Sequence, residues 1–153
     1  MPVILSCTDG SVYAPSIYDH AAWAAGRLGA EVHVLHMLAH PEKPGHLDVS
    51  GTIGMDASAE LLAELVALAE TQGRVAQARA RALLAEAQRH LTARGVAKVV
   101  LEKQHGALVE SIERFEATAD LVVIGKRGEH ADFAKLHLGS NLERVIRCCH
   151  HPV

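Results

Sequence analysis

The chain has 153 residues, enough for one domain and cramped for two. Hydrophobic residues make up 49% and aromatics only 3%, which excludes a disordered chain and predicts an aliphatic, alanine-rich core. Fifteen basic and 18 acidic groups give a formal net charge of −3, so there is no broad basic field for generic nucleic-acid binding.

Val3 to Thr8 is a short apolar run that stops at Asp9-Gly10-Ser11, the pattern of a buried strand. From Ser16 to Leu28, Ile17, Ala21, Ala24, Ala25 and Leu28 recur at helical spacing, and Gly26 and Gly29 mark the end. Glu31 to Leu38 reads as a second strand. Pro41 to Gly54 is the longest irregular stretch, and long loops in compact domains are often lids or binding loops. Ala57 to Arg94 is helical in propensity, with Gly73 expected to kink or split it and Gly95 to close it. Lys98 to Lys103 is a third strand, Leu108 to Phe115 a short helix, and Ala119 to Ile124 a fourth strand running into Gly125. Asn141 to Cys148 is a last short helix, followed by His151-Pro152-Val153.

Strands alternating with helices imply an open parallel α/β sheet with helices on both faces, wound by right-handed crossovers. No internal repeat or linker divides the chain, so a single domain over residues 1–153 is expected. No apolar stretch approaches the ~20 residues of a membrane span, and the first residues lack the pattern of a signal peptide. Three cysteines, Cys7, Cys148 and Cys149, form no disulfide framework and point to a reducing, cytoplasmic setting. Cys7 is expected as a buried small hydrophobe. The histidines, including His36, His40, His150 and His151, show no zinc-like spacing, so no metal site is expected among them. Glu70, Arg74, Arg81, Glu86 and Arg89 on the long helix are most simply a solvated face.

Ligands of open parallel sheets collect beyond the carboxyl ends of strands, where strand order reverses. Two such ends carry unusual residues: Thr8-Asp9-Gly10-Ser11 and Gly125-Lys126-Arg127-Gly128, with Gly139-Ser140 just before the last helix. Glycines let a backbone approach phosphate oxygens, and helix-start amides favour anions. This is neither a Walker loop nor a Rossmann fingerprint, and two glycines at a strand end are usually just a turn. No catalytic set emerges: there is no nucleophile elbow and no pair of carboxylates.

The late block resembles the universal stress protein family. It reads Asp120 to Gly128, then Leu138-Gly139-Ser140, Val145-Ile146, Cys149 and His151-Pro152-Val153, with Asp9 and Leu35-His36-Met37 as earlier points of likeness. That family folds as an adenine nucleotide alpha hydrolase-like α/β sandwich with five parallel strands. The resemblance implies a fifth strand that is truncated here or supplied downstream, and so a longer or tandem natural chain. Its ATP-binding branch carries Gly-x2-Gly-x9-Gly-Ser/Thr; here ten residues separate Gly128 from Gly139. By resemblance, Cys7 and Thr8 flank the adenine through their backbone, Asp9 binds the adenine or ribose end, and Met37 covers the ring. Ile124 and Gly125 meet the ribose and phosphates; Gly128, Gly139, Ser140 and Asn141 hold the phosphate chain, with Mg²⁺ possible on those phosphates. The implied function is an ATP-binding stress-response switch, with a homodimer or tandem-domain partner and at most incidental ATP hydrolysis. Two other readings stay open: an adenylyl- or phosphoryl-transfer enzyme, and a decayed site serving as a dimerisation scaffold.

Overall fold

The computed structural model describes residues 1–38, 55–128 and 140–153. The irregular stretch read at Pro41–Gly54, and Gly139, fall wholly outside them. Four strands alternate with four helices: β1 (Val3–Thr8), α1 (Ala14–Leu28), β2 (Glu31–Leu38), α2 (Met55–Ala93), β3 (Val99–His105), α3 (Leu108–Glu116), β4 (Leu121–Ile124) and α4 (Ser140–Cys148). The sheet is wholly parallel with strand order β3-β2-β1-β4. The chain steps outward from β1 to β3, then returns to the other side of β1, so strand order reverses between β1 and β4.

Alternation along β1 divides the core. Ile4 faces α1 and α2, where it packs with Val32, Val34, Leu84, Ala87 and Leu91. Leu5 and Cys7 point the other way, into a cluster with Leu35, Ile112, Val122 and Val145. The first layer is alanine-rich: Ala14, Ala21, Ala22, Ala24 and Ala25 are buried on α1. Side chains this small let the helix lie close on the sheet, which is how a core with few aromatics fills its space. The helix starts with Pro15 in its first turn, where a missing N–H costs nothing. It runs through Gly26, which does not mark its end, and stops at Gly29 in the left-handed conformation, φ 62°, with the Gly29 N–H donating to the Ala25 carbonyl.

The expected break at Gly73 does not occur. α2 runs unbroken for 39 residues from Met55 to Ala93. One glycine costs a helix only about 1 kcal/mol, and the surrounding Ala, Leu, Gln and Arg residues offset it. Asp19 on α1 ties the two helices together, accepting from His90 Nε2 at 2.6 Å and Arg94 at 3.0 Å.

The tail is clamped by a buried carboxylate. Glu116, at the end of α3, accepts the backbone N–H of His151 at 2.8 Å and that of His150, with the His150 imidazole 3.7 Å away. This holds Pro152 so that its carbonyl accepts the Val122 N–H at 2.9 Å. The residues read as the entry to a fifth strand therefore lie beside β4.

Burial pushes the Glu116 carboxyl up, but the N–H donors of His151 and His150 and the His150 charge outweigh it and hold its pKa below the usual 4.5. A carboxyl whose pKa falls on folding adds stability that is present above its unfolded value and is lost as pH drops through the folded value. Stability should therefore decline below about pH 4.5, with a shallower decline in Glu116→Gln, as denaturant titrations would read out. At neutral pH, Glu116→Ala should cost about 1–3 kcal/mol and speed hydrogen exchange at the Val122 amide.

Candidate functional site

Polar groups at the end of β1 are mutually satisfied and define a rigid lip. Thr8 is the hub. Its carbonyl can only accept, so His36 Nδ1, 2.9 Å away and buried, carries the proton between them. Its hydroxyl lies 2.9 Å from the Tyr18 hydroxyl and accepts the Gly10 N–H at 3.2 Å. Burial raises the Tyr18 pKa; the Thr8 contact opposes this, and the charges of Glu86 and Asp9 reinforce it. Tyr18 therefore stays a neutral hydroxyl.

The turn that follows needs glycine at residue 10. Gly10 has φ 72°, and a Cβ there would stand 2.5 Å from the Leu83 methyl carbons on α2. The left-handed backbone strains any side chain there, and the Leu83 methyls would also have to move aside. The turn is closed by Asp9 Oδ1, which accepts the Ser11 N–H at 2.9 Å. The other Asp9 oxygen reaches across the strand-order reversal: a Cβ on Gly128 would lie 2.5 Å from Oδ2. The Gly128 backbone and the Asp9 carboxylate are thus in direct contact, although they are far apart in sequence.

Gly125, directly after β4, is bare for another reason. A Cβ there would meet Ile17 Cδ1 at 2.9 Å and the Arg127 carbonyl at 3.1 Å. Gly128 does not take a left-handed φ, unlike Gly10, Gly29, Gly95 and Gly106. Its demand for glycine is the closeness of Asp9. Lys126 and Arg127, between the two glycines, are exposed.

Seven of the ten sequence-predicted site residues come together on this edge. Cys7 pairs with Ile124, and Thr8 pairs with His36, next to Met37. Asp9 meets Gly128, and Gly125 lies at the foot of that loop. Cys7 offers only its backbone. Its thiol is buried, and burial, with Cys149 adding to it, pushes its pKa up to about 12. Met37 and Ile124 are half-buried and pack on the same cluster as Cys7. Ser140 and Asn141 open α4, and Asn141 is exposed. α4 ends at Cys148, and four residues later Pro152 meets Val122 near the start of β4. The helix therefore runs back down the sheet, which sets its N-terminal amides at the carboxyl edge. Among the described residues, no three His, Cys, Asp or Glu side chains converge as metal ligands, and no helix is long and apolar enough to cross a membrane.

Two contributors were not legible as site residues. His36 stands among the scattered histidines, yet it buttresses Thr8 from the neighbouring strand. Its signal was its place near the end of an apolar strand. Tyr18, ten residues from Thr8, had no signal beyond helical spacing.

A sequence signature of the universal stress protein family matches residues 1–153. The chain belongs to the universal stress protein family. It is 38% identical over 154 residues to universal stress protein Slr1230 of Synechocystis, covering 99% of this chain and 54% of that protein. The chain thus spans about half the length of this relative. Hypothetical protein MJ0577 superposes with a TM-score of 0.74 at 20% identity, over 99% of this chain and 92% of that one. A universal stress protein in complex with cAMP gives 0.62 at 23% identity, over 99% and 93%. The Archaeoglobus fulgidus protein in complex with dAMP gives 0.56 at 20% identity, over 100% and 94%. At these identities the likeness shows the shared fold.

Gly10→Ala should cost at least about 1 kcal/mol, because it combines positive φ with a clash against Leu83. Tyr18→Phe should cost about 1 kcal/mol by removing one partner of the Thr8 hydroxyl. Urea denaturation of both variants checks this; an unchanged Gly10→Ala would mean that the turn is not held as described.

Proposed function

We propose that this chain binds an adenine nucleotide at the carboxyl edge of β1 and β4 and acts as a nucleotide-controlled stress-response switch. The observation that carries this reading is the contact between Asp9 and Gly128 at the strand-order reversal. It sets an anchoring carboxylate beside a bare backbone and two exposed cations, a layout suited to a ligand with a hydroxylated sugar and an anionic tail. Relatives of the same fold in complex with cAMP and dAMP support the class, since both ligands carry an adenine, a sugar and a phosphate.

In this reading the Cys7 and Thr8 backbones flank the adenine and Met37 covers it. Asp9 takes the ribose or adenine end, and Ile124 and Gly125 meet the ribose and phosphates. Gly128, Gly139, Ser140 and Asn141 hold the phosphate chain, which is ATP in the Gly-x2-Gly-x10-Gly-Ser variant proposed here, with Mg²⁺ on its outer oxygens. The ten-residue spacing between Gly128 and Gly139 adds one residue to the family pattern. The role is binding: among the described residues, this edge presents no nucleophile paired with a base. The reading extends to a cytoplasmic protein that works as a homodimer or as one domain of a tandem pair.

Titration calorimetry with ATP, with and without Mg²⁺, and with AMP and cAMP tests this. A dissociation constant as weak as about 1 mM, near −4 kcal/mol, still counts as binding. No heat and no thermal shift with any of these nucleotides would overturn the proposal. Gly128→Val should weaken binding at least tenfold while the protein stays folded, because the new side chain displaces Asp9. Normal nucleotide binding by that variant would remove the Asp9–Gly128 contact from the site. Tight binding of AMP but not ATP would narrow the ligand to monophosphates and count against the ATP assignment.

A further inference from the structure

The outer face of α1 carries the one tryptophan of the chain, and the fold leaves it outside. Trp23 is 66% exposed, although the buried side of the same helix is built mainly of alanine. Helical side chains lean back toward the amino end, so the indole lies over the preceding turn, which holds Asp19 and His20. The three side chains line an open recess of about 380 Å³. That is the lower end of the range for small-molecule sites, about 300–1,000 Å³. One turn further on, Gly26 adds no side chain, and nothing lies within 4 Å of where its Cβ would stand. The indole is therefore not crowded from that side.

Both polar groups of the recess are acceptors. Asp19 receives His90 Nε2 at 2.6 Å and Arg94 at 3.0 Å, and both fall on one oxygen, Oδ1. Among the described residues, no hydrogen bond reaches the second oxygen, Oδ2. The His90 bond outweighs a smaller effect of burial and, helped by the Arg94 charge, holds the Asp19 carboxyl below the usual carboxylate range. The carboxylate is braced from behind, because the His90 ring packs on Tyr18 with centroids 5.6 Å apart. His20 Nδ1 lies 2.7 Å from the Ser16 carbonyl oxygen, which can only accept. The proton is therefore on Nδ1, and the neutral ring offers an unprotonated Nε2.

These features select a ligand. An exposed aromatic face beside two acceptors suits a flat molecule that donates hydrogen bonds. A cation is disfavoured: Arg94 already neutralises Asp19, and Arg27 stands exposed one turn beyond Trp23 on the same face. A purely apolar molecule would use neither acceptor. We propose that Trp23, His20 and Asp19 form a second ligand site, for a neutral heteroaromatic ring of purine or pteridine size with N–H donors on its edge. The ring stacks on Trp23 and donates to Asp19 Oδ2 and His20 Nε2. α1 starts beyond the Asp9 turn and leads into β2 at Glu31, so its later half lies toward the amino edge of the sheet, away from Gly128. The proposal therefore stands or falls independently of the nucleotide edge.

A single tryptophan makes the site its own reporter. Excited at the red edge of its absorption, where purines are transparent, Trp23 should be quenched saturably by guanosine. Theophylline should bind about tenfold more tightly than caffeine, because the two differ only in one N–H replaced by N–CH3. Agmatine, a guanidinium cation, should not quench. His20→Phe keeps a ring but loses the acceptor; it should weaken guanosine severalfold and leave caffeine unchanged. Calorimetry of Trp23→Ala, whose substituted position is exposed, should show guanosine weakened about tenfold, the scale of stacking a base on an aromatic ring. No saturable quenching by guanosine or theophylline at millimolar concentration would overturn the proposal. So would equal binding of theophylline and caffeine, which would mean stacking alone, or stronger binding of agmatine than of guanosine. Undiminished guanosine binding by Trp23→Ala would place the ligand elsewhere, at the nucleotide edge, and would equally overturn it.

Discussion

The structure depends on a constraint imposed at β1. This strand is hydrogen-bonded on both edges, to β2 from Val3 to Thr8 and to β4 from Ile4 to Cys7. Helices cover both of its faces, and Ile4, Leu5, Ser6 and Cys7 are all buried. A strand so enclosed must satisfy its backbone polar groups within the protein or at its ends. At the carboxyl end that demand falls on Thr8, whose carbonyl and hydroxyl are taken up by His36, Tyr18 and Gly10. These bonds leave the chain one way out, the turn at Asp9-Gly10-Ser11, and they aim Asp9 across the reversal at Gly128. The candidate site is what remains when the central strand has been closed.

The two edges of the sheet handle charge differently. At the amino edge, charges are absorbed internally. Glu31 bonds His33 at 2.8 Å and Lys98 at 2.5 Å, and Asp120 accepts the Val3 N–H at 2.8 Å. At the carboxyl edge, Lys126 and Arg127 stand exposed beside a glycine-lined turn, and the α4 helix presents its amino end. At the amino edge, Glu31 is itself buried while Lys98 is exposed, and Lys98 first and His33 second hold its carboxyl below the usual carboxylate range. In the proposed nucleotide reading, the exposed charges of Lys126 and Arg127 are what an anionic ligand would meet.

Much of this was legible in the residues. β1 and β2 have the boundaries that their apolar runs predict, and β3, β4 and the three shorter helices match within about two residues. Asp9, Gly125 and Gly128 stood out because polar and glycine residues directly after buried strands have little reason to be there on packing grounds alone. Two things were not legible. Gly73 read as a break, because local propensity penalises glycine regardless of what the rest of the helix supplies. Gly128 read as a backbone left bare for phosphate approach; what could not be read is that Asp9 comes so near that a Cβ there would have to displace its carboxylate.

The sequence by itself determined the alternation of strands and helices, the aliphatic character of the core and the punctuation after β1 and β4. All of these follow from periodicity and turn chemistry within a few residues of one another. The tertiary structure decided which distant residues meet: Thr8 with Tyr18 and His36, Asp9 with Gly128, Glu116 with the tail, and Leu83 with Gly10. It also decided that only the later half of α2 is covered by the domain, although the apolar pattern runs along the whole helix. The reason is physical. Hydrophobic spacing states that a face must be buried, and only the order and register of the strands state what is there to bury it.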